Sequence, residues 1–110
     1  MVRIHRRTAI ISVKQTSHLE PLEFEVSVSD SNGQTRHHVT MSKVDCGRLV
    51  GKSCPPERGI EAAFLFLLDR EPKEAILPYF DVRVIALYFP NFEAELPRYI
   101  ASVSTAGMEP

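Results

Sequence analysis

Between Phe24 and Met41 apolar and polar residues alternate on both sides of the run Asp30-Ser31-Asn32-Gly33. Strict alternation is the mark of a strand with one face on a core and one in water, and Asn-Gly supplies two residues that tolerate positive φ. The pattern predicts a hairpin with Asn32 and Gly33 as its two loop residues. Ser31 then faces Gln34, and the apolar face pairs Val28 with His37, Val26 with Val39, and Phe24 with Met41. The other face pairs Ser29 with Arg36, Ser27 with His38, Glu25 with Thr40, and Glu23 with Ser42, all polar. A one-residue slip would mix the two faces, so the pattern selects the side of each residue. Thr8 to Gln15, with Ile10, Ile11 and Val13 among polar neighbours, predicts a third strand, and Ser17, His18 and Pro21 punctuate the link to the hairpin. A three-stranded antiparallel meander is expected.

After Met41 the period changes. Pro55 and Pro56 stop the preceding segment, and Ile60, Ala63, Phe64, Leu67 and Leu68 recur at helical spacing before Pro72. Ala62, Leu65 and Phe66 are apolar on the remaining sides, which predicts a helix packed both on the sheet and on something else. Gly59 falls in its first turn, where glycine costs a helix least. Pro72, Pro78, Pro90 and Pro97 divide the tail into short pieces. Pro72-Lys73-Glu74 reads as a first helical turn leading to Ile76 and Leu77. Val82, Val84 and Ile85 suit a strand, but Val82, Ile85, Ala86 and Phe89 form a helical face behind Asp81 as a cap, which favours helix over 82–89. Asn91 caps a last piece carrying Phe92, Leu96, Tyr99 and Ile100. The expected class is α+β: the meander packed against a C-terminal group of one longer and two or three short helices.

Length changes this picture little, since 110 residues make one domain. The sheet is expected over 8–42, the helical part over 56–101 and a frayed tail over 102–110. With 44% hydrophobic and 25% charged residues the composition is globular and supports a core without a metal or disulfide staple. A net charge of −1 argues against nucleic acid as a partner. Arg3, Arg6, Arg7 and Lys14 make the first 14 residues basic, which reads as charge protecting a sheet edge. No apolar run approaches the ~20 residues that cross a bilayer, and Met1 to Arg7 does not resemble a signal peptide. The expected location is the cytoplasm, where Cys46 and Cys54 stay reduced.

The chemical motifs are weak. Gly51-Lys52-Ser53 ends like a phosphate-binding loop, but that loop needs glycine where Cys46 stands, and Cys54-Pro55-Pro56 interrupts the helix that should follow. Cys46 and Cys54 stand too far apart for a zinc pair, and adjacent His37 and His38 point to opposite faces of a strand. Cys46 beside Asp45, with His37 as base, is the one nucleophile arrangement to be drawn, against the plainer reading of His37 as a hydrogen-bonded core residue. The acid pairs Glu71/Glu74, Glu23/Glu25 and Glu93/Glu95 read as solvated faces. No catalytic residue, metal ligand or cofactor is assigned.

The run from Phe66 to Pro90, carried by Arg70-Glu71-Pro72-Lys73-Glu74 and by Tyr88-Phe89-Pro90, resembles the tail of a family of small uncharacterised bacterial proteins. The resemblance covers about a quarter of the chain, implies a bacterial source and carries no site residue. What the residues themselves leave is an excess of large apolar side chains in the tail, more than one small sheet covers. The favoured reading is a non-enzymatic interaction module, partnered by a second copy or another protein, with Tyr88, Phe89 and Phe92 as interface residues. The alternative is a small-ligand or metal-binding protein, or a minor enzyme, built on Cys46 and the histidines.

Overall fold

The computed structural model describes residues 9–108, with side chains in its last helix described as far as Val103. Strands β1 (Ile10–Ser17), β2 (Leu22–Asp30) and β3 (Gly33–Met41) form the expected antiparallel meander. Helices α1 (Lys43–Leu49) and α2 (Pro56–Leu68) follow, then a 3-10 turn (Lys73–Ala75) and a short strand β4 (Tyr79–Asp81). Helices α3 (Arg83–Tyr88) and α4 (Phe92–Met108) complete the chain. The fold is α+β, with sheet order β1-β2-β3-β4.

The hairpin register differs from the expected one by two residues. Asp30 pairs with Gly33, so Ser31 and Asn32 are the loop, and the apolar rungs are Leu22–Met41, Phe24–Val39, Val26–His37 and Val28–Thr35. A shift of two keeps every side chain on its expected face, so the hydrophobic pattern cannot distinguish the two registers. The local chemistry does. The Asp30 side chain accepts the Asn32 N–H at 2.8 Å, closing the turn one step earlier, and Gly33 spends its freedom (φ 120°) as the first residue of β3.

Three elements depart from expectation. Strand β4 lies parallel to β3, its ladder continued by His38 N–H to the Pro78 carbonyl and Val82 N–H to the Thr40 carbonyl. Its three residues are too few to show a period. Helix α1 was not anticipated, although Ser42 caps it by accepting the Asp45 N–H at 3.0 Å, a Ser-x-x-Asp signal. Helix α4, with 17 residues, is the longest and runs through Pro97 and on to Met108, across the stretch expected to fray. A proline inside a helix removes one backbone bond. Burial of Phe92, Leu96, Tyr99 and Val103 along one side holds α4 together in spite of it. Helix α3 occupies 83–88, within the 82–89 expected; Val82 stands at the cap position expected for Asp81, which instead accepts the Arg83 N–H at 3.0 Å.

Helix α2 joins the layers. Residues two apart on a helix point nearly opposite ways. Phe64 accordingly meets the sheet side, against His37 and Phe80, while Phe66 meets Phe92, Tyr99 and Phe89. Gly59 is buried where α2 passes the end of α1, and a Cβ there would lie 2.3 Å from Val50 Cγ2. Gly59 is therefore required by close approach as well as tolerated by its place in the first turn. Gly59→Ala should lower stability by about 1–3 kcal/mol, because overpacking outweighs the helix-propensity gain. Urea unfolding measures it, and an unchanged or raised midpoint would show that Val50 yields freely.

Candidate functional site

An apolar groove of about 240 Å³ lies between the 3-10 turn, β4 and α3. Ile76, Phe80 and Ile85 form its buried floor, while Leu77, Val84 and Tyr88 stand along its rim. Helix α3 explains the rim. Val82, Ile85 and Phe89 turn inward at helical spacing, which leaves Leu87 and Tyr88 outward at 79% and 67% exposure. Glu71 is the single ionisable carboxyl in the lining, and partial burial pushes its pKa up, so the groove resists holding a charge there.

Of the three expected interface residues, Tyr88 alone is exposed. Phe92 is 1% exposed and sits edge-on to Phe66 with ring centres 5.1 Å apart, so it belongs to the core and not to an interface. Phe89 is half-buried, edge-on to Phe66 at 6.0 Å, and lines the groove from below. Leu77 and Leu87 belong to the tail's apolar excess but were not among the expected interface residues, and Glu71 read as part of a solvated face. The signal for Leu87 was present, since a helical face through Val82, Ile85 and Phe89 places positions 87 and 88 outside it.

The hydrogen-bond partners of His37 are Thr35 and Leu77, not Cys46. His37 is 3% exposed and both ring nitrogens are engaged. Because a carbonyl only accepts, Nδ1 donates to Leu77 O at 2.8 Å, and Nε2 meets the Thr35 hydroxyl at 2.8 Å. His37 thus ties β3 to the groove's rim residue Leu77. Burial pushes the Cys46 thiol up, with the Cys54 thiol adding to it, which is the reverse of an activated nucleophile. Among the described residues no group of three or more His, Cys, Asp or Glu side chains could hold a metal. His38 lies on the outer sheet face, with Glu25 at 2.7 Å and Glu23 at 3.1 Å on its two nitrogens and its ring stacked on Tyr79. His5 lies outside the described residues.

Lys73 anchors the start of the groove segment to the hairpin. Its ammonium is 3% exposed as a residue and donates to Asp30 and Glu74, each at 2.7 Å. Asp30 therefore both closes the β2–β3 turn and receives Lys73. The Lys73 bonds hold the Asp30 and Glu74 carboxyls below their ordinary range and, reciprocally, raise Lys73.

No family model matches the chain, and no curated protein or solved structure matches it. No helix among the described residues is long and apolar enough to cross a membrane.

For an acid with a depressed folded pKa, the stabilisation is complete above the unfolded pKa and is lost as pH falls through the folded value. The Lys73 clamp should therefore hold at neutral pH and be lost as pH falls below the ordinary carboxylate range, through the lowered pKa values of Asp30 and Glu74. Lys73→Met should raise the Asp30 carboxyl toward its ordinary range, read as an upward shift in the midpoint of its side-chain carbon resonance. An unmoved midpoint would show that the Asn32 N–H alone sets it.

Proposed function

We propose that this protein is a non-enzymatic interaction module whose occupant at the groove is a second copy of the same chain. The observation that carries the reading is the adjacency of knob and hole: Leu87 and Tyr88 project from α3 directly beside the groove that α3 borders. A twofold dimer needs one patch that offers both, so that each copy inserts what the other receives. Volume separates this from the small-ligand reading. At about 240 Å³ the groove is smaller than the roughly 300–1,000 Å³ of ordinary ligand pockets, while it suits side chains of a partner. Charge permits it as well, since at a net charge of −1 two copies repel each other little. Apolar side chains exposed this far gain by leaving water together, at roughly 25 cal/mol per Å². An interface bounded by one groove and one short helix is expected to be small and reversible.

Native mass spectrometry and light scattering across a concentration series test the reading. The wild-type chain should be dimeric at high concentration, and Leu87→Ser with Tyr88→Ser should make it monomeric without changing its unfolding midpoint by more than about 0.5 kcal/mol, as surface substitutions behave. Cys46→Ala should leave association intact. Phe92→Ala should instead cost about 3–5 kcal/mol of stability as a core truncation. A wild-type chain that stays monomeric at high concentration, or a double variant that still dimerises, sinks the proposal.

A further inference from the structure

On the side of the sheet away from the helices, a polar depression of about 180 Å³ is lined by Ser12, Lys14, Glu25, Ser27, Gln34 and Arg36. The register explains how these meet. Ser12, Ser27 and Arg36 form one row across β1, β2 and β3, and Lys14, Glu25 and His38 form the next. Strands stand about 4.8 Å apart, so Lys14 and Arg36 flank Ser27 from strands about 10 Å apart, within reach of a common point above it.

Among the described residues, the carboxylates on this face have partners. Glu23 and Glu25 both engage His38, and Asp81 receives the Thr40 hydroxyl and Arg83. Lys14 and Arg36 have no ion-pair partner among the described residues, although both border the same depression. The sequence before β1 contains Arg3, Arg6 and Arg7 and no acid, so it supplies no carboxylate to them. Two like charges facing one recess beside hydroxyl and amide donors are stabilised by an anion placed between them. A guanidinium offers a planar fork for two oxygens, an ammonium a point charge, and Ser12, Ser27 and Gln34 further donors. Three donor types around one recess match a tetrahedral oxyanion better than a planar carboxylate.

We propose that the Ser12–Ser27–Arg36 row with Lys14 is a binding site for a phosphate group, carried by a small phosphate monoester or by inorganic phosphate. Glu25 lines one side and opposes the anion, its Oε2 drawn toward His38 Nδ1 at 2.7 Å. The site is therefore weak as built and is strengthened by loss of that carboxylate.

The test is an amide-resolved NMR titration of the full chain with inorganic phosphate and, separately, with glycerol 1-phosphate, at constant ionic strength set by chloride. Saturable shifts should concentrate at Ser12, Ser27, Gln34 and Arg36, be lost in Lys14→Gln/Arg36→Gln, and tighten several-fold in Glu25→Gln. All three positions lie on the open face, and circular dichroism verifies that the variants fold. Tighter binding of the ester assigns a phosphate monoester, and tighter binding of the free anion assigns inorganic phosphate. Shifts that do not saturate, that chloride alone reproduces, that survive the double glutamine variant, or that weaken in Glu25→Gln overturn the proposal.

Discussion

The structure depends on where α2 sends its two phenylalanines. Phe66 is fully buried, with Phe92, Tyr99 and Phe89 edge-on around it and the Arg70 guanidinium 3.6 Å from its ring centre. Edge-on rings place the positive rim of one against the negative face of another, and a cation on the ring adds to the same electrostatics. Arg70 also donates to the Phe66 carbonyl at 3.0 Å, and Tyr99 donates to Asp69, so the C-terminal end of α2 and the face of α4 are joined by polar contacts at the margin of the aromatic cluster. With Phe64 directed at His37 and Phe80, one helix couples the sheet to everything that follows it in the chain. The groove follows from this arrangement. Phe80 and Phe89 are packed from inside by Phe64 and Phe66, and α3 between them bridges what is left.

The fold was legible where a residue's surroundings are set by its near neighbours in sequence. Alternation in β2 and β3 assigned every side chain to its face, because burial on one side of a pleated strand leaves no alternative. It could not assign the rung, since registers two apart bury the same residues, and the decision fell to the Asp30–Asn32 turn contact and the Lys73 ammonium. Strand β4 was not legible because its partner is β3, about forty residues earlier, and three residues carry no period. Pro97 was read for its local effect, whereas the apolar stripe from Phe92 to Val103 has enough core to keep the helix intact around it.

The candidate site shows the same division. The tail's apolar excess was visible, and so was the helical face of 82–89, but apolar character alone ranks Phe92 with Tyr88. Only the meeting of α2 and α4 separates them, turning Phe92 into core and leaving Tyr88 in water. Glu71 read as part of a solvated face because nothing local indicates that α3 will close over its flank. His37 and Cys46 were legible as candidates but the partners of His37 were not, since engagement of both imidazole nitrogens by Thr35 and Leu77 is a tertiary fact.

The polar depression lies over β1, β2 and β3, while the groove is bordered by strand β4. Its alternation sends Phe80 to the groove and the core, and Tyr79 and Asp81 to the outer sheet face, where Tyr79 stacks on the His38 that holds Glu25. The groove and the polar depression thus lie on opposite faces of the sheet. An occupant of either side gains nothing directly from the other. Coupling, where it exists, has to pass through displacement of β4 against β3, whose short parallel ladder and Thr40–Asp81 bond of 2.7 Å resist it.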